Sequence, residues 1–454
     1  MPRHAAGGQP LRQWHDSCAT VTHVVTGVEV AARRRLSGWL LRFYSERRQR
    51  SGSSLLSLLP KSSLVPLHRN LLDPVDELGQ LRDKEPVSRL KVPFGVRAWL
   101  VTGYDESKAV LAGADAFSND FRHVVTTAGI PTGHHSPGGL GFADPPDHTR
   151  LRRLLTPEFT VRRLSRLGPQ IEATIEGQLD EMAKIAERDG SVDLHEHFAL
   201  PIPSLVICDL LGIPYEDRAD FQRLSAARFD FLGGTDGSLG AISESVAYVL
   251  GVVERQRVEP GPGLLGMLIK EHGDDITDLE LAGLTDGLLT GGLETTTSML
   301  ALGALVLLQN PTSLAEIRDR DEQIAPLVEE LLRYLTVVQV AFPRLARRDL
   351  TVGGQTILAG DIVLCSLSGA NRDARQGNDM DRFDPTRPPS QHLAFGHGIH
   401  RCIGAELARM ELRAAYPALI RRFPDIKLAV PAGRLSFRKL SFVYGVDALP
   451  VTLD

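Results

Sequence analysis

The run Phe395-Gly396-His397-Gly398-Ile399-His400-Arg401-Cys402-Ile403-Gly404 sets one cysteine in a glycine-rich loop directly before a segment of helical pattern, 405–423. Gly396, Gly398 and Gly404 permit backbone turns that side chains forbid, and let the chain lie close against a flat ligand. The unpaired N–H groups at the start of the following helix favour thiolate over thiol. A single thiolate on a bent backbone suits a haem iron, and such ligation pushes electron density towards O–O cleavage. Two other readings attach to the same residues. An isolated cysteine is often a small buried hydrophobe. His400 and Cys402 could also be half of a zinc site, although no Cys-x-x-Cys or second cluster completes one.

A chain of 454 residues with 43% hydrophobic content can bury a large core. No repeat and no Gly/Ser- or Pro-rich linker interrupts 64–454, which predicts one large domain there. A net charge of −5 gives no reason to expect nucleic acid. Cys18, Cys208, Cys365 and Cys402 lie far apart, suggest no disulfide framework, and fit a reducing cytoplasm. They are too few for an iron–sulfur cluster beside a haem thiolate. No Gly-x-Gly-x-x-Gly marks an attached flavin or nicotinamide domain, so the electron donor is expected to be a separate protein. Residues 1–63 differ from the rest, with nine Arg against three Asp/Glu in the first 50 positions. They read either as a loosely ordered extension or as a basic segment in weak contact with an anionic membrane surface. Short apolar runs predict a small strand-rich region over 73–116, and helical patterns dominate 147–335. One long helix is expected over 278–308, capped at Thr277 or Asp278 with Glu280 close behind. Strand-like pieces return at 350–352, 361–367 and near the C-terminus. The sum is a mainly helical α+β fold with a minor, segregated β part.

Further constellations lie along this framework. Gly291 and Gly292 weaken the long helix by about 1 kcal/mol each against alanine, directly before Glu294 and the threonines Thr295, Thr296 and Thr297. Threonine hydroxyls can bond back to carbonyls a turn earlier and bend a helix. A surface helix with a solvated acid would read the same way. Glu330 and Arg333 share a helix face, a spacing usually worth a few tenths of a kcal/mol in water. His148 and Arg152 project from one face of a helix that starts after Asp147. Arg344 and His400 are further candidates for binding carboxylates by charge-assisted hydrogen bonds. Singly, each is an ordinary surface charge.

Taken together, over about 64–454, these motifs resemble those of the cytochrome P-450 family. The resemblance implies that family's single-domain fold, with the long central helix over the haem and Cys402 as the axial ligand of the iron. It implies that Phe395, Gly396, Gly404 and Gly292 lie against the haem. His148, Arg152, Arg344 and His400 would hold its propionates, and Glu294 with Thr295 would serve oxygen activation. Gly291 stands where alanine is usual, and Leu293 where histidine is frequent. Glu330, Arg333 and Arg382 match the family's structural triad; Gly377 and Met380 depart from its usual aromatic and proline. The implied activity is that of a bacterial-type soluble, cytoplasmic monooxygenase using haem b, with electrons from NAD(P)H through a separate ferredoxin and ferredoxin reductase. Arg153, Arg401, Arg409 and Arg413 would face the ferredoxin. The implied pocket is lined by 129–142, 215–245, 288–294, 337–342 and the turn at Phe442, including Phe229, Phe231 and Phe342. Its apolar walls suit a steroid, terpenoid, polyketide or fatty-acid-like substrate. The alternatives are a non-catalytic haem sensor and a peroxide-driven haem-thiolate enzyme.

Overall fold

Thr277 fixes the start of the element that organises the chain. Its hydroxyl accepts the Glu280 N–H at 3.2 Å while the Glu280 carboxylate accepts the Thr277 N–H at 2.9 Å, a closed capping box. The computed structural model describes residues 60–92, 95–120, 139–213, 235–388 and 391–454, with only the backbone of 235–243. In chain order the main helices are α1 (Asp76–Lys84), α2 (Tyr104–Ala112), α3 (Asp147–Leu155), α4 (Gly168–Asp189), α5 (Pro201–Leu211), α6 (Thr235–Val258), α7 (Leu264–His272), α8 (Asp278–Gln309), α9 (Pro311–Asp319), α10 (Ile324–Leu335) and α11 (Ala405–Arg422). The capped helix is α8. It is apolar and long enough to cross a membrane by composition, but 78% of that stretch is buried inside the fold. A helix that is apolar all round belongs in a core, and α8 packs there against α5, α6, α10 and α11. The main hydrophobic cluster, from Leu151 and Ile175 through Leu300 to Tyr416, surrounds it.

Beyond a short hairpin pairing Arg69–Asn70 with Asp73–Pro74, the strands are β1 (Val87–Leu90), β2 (Ala98–Val101), β3 (Phe117–Ser118), β4 (Val192–Asp193), β5 (Arg344–Ala346), β6 (Leu350–Val352), β7 (Gln355–Ile357), β8 (Ile362–Cys365), β9 (Lys427–Leu428) and β10 (Pro450–Thr452). Five form one sheet in the order β1-β2-β8-β5-β3. Its one parallel pair aligns Ile362 with Ala98 and Cys365 with Val101. All four β2 side chains are buried, as expected of a strand covered on both faces. The region 73–116 holds this strand pair but also α1 and α2, so the strand-rich expectation is corrected. Both helices begin with acidic pairs, Asp76-Glu77 and Asp105-Glu106, which complement the helix dipole. A second small sheet, β9-β10-β4, brings the C-terminal segment against residues 192–193.

The Glu330–Arg333 pair is buried rather than solvated. Arg333 Nε and Nη2 donate to the two Glu330 oxygens at 2.7 and 2.8 Å. Arg333 Nη1 reaches the carbonyls of Asn371 and Met380 at 2.8 and 2.7 Å. Arg382 enters only through its carbonyl, 3.0 Å from Arg333 Nη2. The third cation is instead Arg387, whose Nε lies 3.8 Å from Glu330. The expected triad is therefore corrected at that position: the turn after Arg382 carries the chain back, and the later arginine faces the acid. Of the N-terminal extension, residues 1–59 lie outside the described residues. At 60–63 the chain is already tied down, with Ser63 Oγ donating to the Lys91 carbonyl at 2.6 Å.

Candidate haem-thiolate site

The cysteine loop is a closed backbone turn. Cys402 N–H donates to the Phe395 carbonyl at 2.9 Å, and Gly396 N–H to that of Leu393 at 2.8 Å. Gly396 and Gly398 hold φ values of +67° and +73°, in the region that favours glycine. At Gly398 a Cβ would also sit 2.4 Å from the Leu111 carbonyl oxygen at the end of α2. Only glycine fits both demands. Gly404 starts α11, and its N–H points at the Cys402 sulfur.

Cys402 is accessible to a water-sized sphere, yet burial is the largest influence on its thiol and pushes it up. The two facts agree for a sulfur bordering an internal space. The Gly404 N–H, Arg152, Arg401 and Arg409 act in the opposite direction but do not prevail. The Gly404 N–H at the start of the following helix favours the thiolate, as the sequence reading expects, but burial outweighs it; ligation to a metal stabilises a buried thiolate generally. Among the described residues no group of three or more His, Cys, Asp or Glu could chelate a metal ion.

His148, Arg152, Arg344 and His400 come from α3, β5 and the cysteine loop, and the fold brings them together. The His148 and His400 rings lie 4.3 Å apart between centroids. Both His148 nitrogens and His400 Nδ1 are buried without a hydrogen-bond partner among the described residues. His400 is pushed down to about 3 by burial, then by Arg344 and His148; His148 is lowered by burial and then by Arg152. Among the described residues Arg344, 5% exposed, makes a 2.9 Å bond only to the Phe342 carbonyl. The nearby acid, Asp144, is engaged by Ser118, the Asn119 N–H and Arg347 at 2.5, 2.7 and 2.6 Å. A buried cluster of this kind calls for an anion. The two carboxylates of a haem fit it, and the single thiolate fits the iron.

On α8 the four residues of interest split between faces. Thr295 Oγ1 donates to the Gly291 carbonyl at 2.6 Å. Among the described residues a Cβ at Gly291 would meet nothing within 4 Å, whereas one at Gly292 would meet Ile207 of α5 at 3.1 Å. The assignment of Gly292 to the haem face is therefore corrected: Gly292 is the close-packing position and Gly291 lines the open side with Thr295. Glu294 is 2% exposed and points another way, with Arg438 Nη1 at 2.6 Å from its Oε2. Sequence reasoning missed Arg438. The usable signal was physical, since an acid inside an apolar helix requires a counter-charge.

Phe395 is covered by the Arg409 guanidinium, 4.7 Å above its ring. Arg409 is bound to Glu329 at 2.6 and 2.9 Å and to Glu406 at 2.8 Å. Burial would raise Glu329, but the bonds from Arg409 and His392 outweigh it and hold it at about 2. Arg413 approaches the same acid at 3.5 Å. Arg409 is thus largely internal and Arg413 half-buried, while Arg153 and Arg401 are exposed. Of the expected pocket, 129–138 and 215–234, with Phe229 and Phe231, lie outside the described residues. The bridge Val338↔Val443 joins two of its other pieces, and the ring of Phe342, 48% exposed, packs against that of Phe142 at 4.6 Å, tilted by 52°. A surface cavity of about 540 Å³ between α3 and α7, lined by Arg150, Arg153 and Glu271 among others, shares none of the haem or oxygen-activation residues.

The family model for cytochrome P450 matches residues 74–260 and 262–428. The chain is similar to cytochrome P450 165B3 of Amycolatopsis orientalis, 40% identical over 85% of this chain and 98% of that protein. It is also similar to mycinamicin IV hydroxylase/epoxidase of Micromonospora griseorubida, 39% identical over 82% and 94%. Among solved structures it resembles OxyC, a cytochrome P450 implicated in an oxidative C–C coupling reaction during vancomycin biosynthesis. There the TM-score is 0.75 and the identity 37%, over 85% of this chain and 96% of that one. The chain belongs to the cytochrome P450 family. It is accordingly a haem-dependent oxidoreductase of the monooxygenase class.

Proposed function

We propose that this chain inserts one oxygen atom of O₂ into a C–H or C=C bond of an apolar small molecule, with Cys402 as the thiolate that would hold the haem iron and Glu294 and Thr295 delivering protons. The observation that carries the reading is the pairing on α8 of an open face at Gly291 and Thr295 with a buried, charge-compensated Glu294 one residue away. Haem bound at Cys402 supplies the activation of O₂ and the oxidation itself. His148, Arg152, Arg344 and His400 hold its two carboxylates, and Phe395, Gly396 and Gly404 shape the loop beneath it. The Thr295 hydroxyl spends its proton on the Gly291 carbonyl, so its oxygen lone pairs are left to accept from water on the open side. Glu294, one residue earlier on the buried side, is the acid that supplies protons to that water. A sensor has no need of this pair, and a peroxide-driven enzyme usually replaces it.

Electrons come from NAD(P)H through a ferredoxin and its reductase, with Arg153 and Arg401 as the exposed cations that meet an acidic carrier. The enzyme domain is 64–454, the setting is the cytoplasm, and any membrane contact is weak and confined to 1–63. The names of the relatives, which include mycinamicin oxidation and vancomycin biosynthesis, support a secondary-metabolite substrate of the polyketide or peptide type within the apolar class. The likeness to OxyC favours one second reading, an oxidative coupling in which substrate bonds form without oxygen insertion. The test is Thr295→Ala in the haem-loaded protein with ferredoxin, reductase and a ligand that shifts the ferric Soret band. Haem and ligand binding should persist, while most NADPH electrons are diverted to hydrogen peroxide. Unchanged coupling of NADPH to product would reduce Thr295 to a packing residue.

A further inference from the structure

The partner that Glu294 finds does not come from a neighbouring helix. Arg438 lies in the C-terminal segment that β9-β10-β4 draws against residues 192–193. Its seat is built for it. Gly445 accepts the Arg438 N–H at 2.9 Å, and a Cβ on Gly445 would crowd Ser298 Oγ at 2.8 Å and the Arg438 stem at 3.4 Å. His195, just after β4, opens the short helix His195–Ala199, which packs against α8. Asp193 Oδ1 accepts the N–H groups of both His195, at 2.9 Å, and Leu449, at 2.8 Å, so the start of that short helix is clamped to the C-terminal strand. His195 Nε2 is buried and without a partner among the described residues. Burial and then Arg438 lower its titration, while Asp193, Glu294 and Asp447 oppose them. Exposure grades from the surface inwards: Asp447 and Ser436, joined at 2.6 Å, are exposed, His195 and Arg438 half-buried, and Glu294 buried.

We propose that Arg438 and His195 form the solvent-side proton supply of Glu294, Arg438 positioning the carboxylate and His195 passing protons inward from the surface at Ser436 and Asp447. The proposal rests on the monooxygenase reading above. Oxygen insertion consumes one O₂, two electrons and two protons, and yields one hydroxyl group and one water. Each proton taken from solvent replaces one that Glu294 gives up, and both His195 and Glu294 end the cycle as they began it.

The test uses the haem-loaded full chain with histidines isotopically labelled, in the diamagnetic carbon monoxide form. The His195 resonance, identified by its loss in His195→Gln, is followed against pH. It should titrate at higher pH in Arg438→Gln and at lower pH in Glu294→Gln than in the wild type. A His195 titration indifferent to both substitutions overturns the proposal. The second readout is NADPH-driven O₂ consumption with saturating surrogate plant-type ferredoxin and reductase and no added substrate, in H₂O and D₂O. Arg438→Gln and His195→Gln should each slow it on the order of tenfold, below the range of 10²–10⁴ typical of a positioned proton-transfer group, and raise the solvent isotope effect. Arg438→Lys should restore most of the rate. His195→Gln leaves the Arg438–Glu294 pair intact, so it decides the matter if Arg438→Gln folds poorly. Wild-type rates and isotope effects in all three variants overturn the proposal. Absence of the thiolate-type carbon monoxide band in the wild type overturns the monooxygenase reading instead, and the two failures are told apart by that spectrum.

Discussion

Glu411 offers the sharpest test of the packing around α11. It is 3% exposed, its Oε2 has no hydrogen-bond partner, and burial pushes its carboxyl up to about 8. Between the ordinary value of 4.5 and about 8 the folded protein keeps a proton that the unfolded chain releases. Stability therefore falls as pH rises through that window and is constant above it. At 1.36 kcal/mol per pH unit, the full window corresponds to an upper bound on the order of 5 kcal/mol. Glu411→Gln removes the titration but leaves an unpaired amide, which itself costs about 1–3 kcal/mol. That cost is close to that of the neutral acid. The variant should match the wild type at pH 4.5 and exceed it by about 2–4 kcal/mol at pH 8.5. Urea unfolding of the haem-loaded proteins, followed by far-ultraviolet circular dichroism at both pH values, measures the difference. A gap that is the same at both pH values refutes the argument, because it would mean that Glu411 does not titrate between them.

Gly398→Ala should cost the protein most of its haem, because the new methyl would meet the Leu111 carbonyl at 2.4 Å with φ at +73°; the haem-to-protein ratio of purified protein reads this directly. Gly291→Ala, with nothing within 4 Å of the added carbon, should keep its haem and serves as the control. Ferredoxin-driven haem reduction should slow with rising salt. Arg153→Glu with Arg401→Glu should slow it severalfold at low ionic strength and flatten the salt dependence. A reduction rate that ignores both salt and charge reversal removes that face as the docking surface.

The cysteine loop and the long helix were legible because each is encoded locally. Gly398 reports a positive φ, and Thr277 with Glu280 reports a helix start. Both signals lie within a few residues of their effect. The correction at Arg382 has a different origin: which arginine meets Glu330 depends on how the loop from Asn371 to Arg387 folds back, and no local pattern sets that path. The split between Gly291 and Gly292 likewise follows from where α5 packs, since Ile207 decides which glycine is covered. Arg438 and His195 were invisible for the same reason, being 144 residues and almost 100 residues from Glu294 in sequence and joined to it by the β9-β10-β4 sheet. In α1 and α2 the short apolar runs dominated the sequence pattern, while the acidic first turns that mark helix starts carried the outcome.

The central claim is that Cys402 ligates the haem iron through its thiolate, and the absorption spectrum of the reduced, carbon monoxide-bound protein tests it most directly. The wild type should show the strongly red-shifted Soret band of thiolate ligation, and Cys402→Ala should lose it while its secondary structure is retained. A wild-type band at the position typical of histidine ligation, unchanged in Cys402→Ala, would contradict the account.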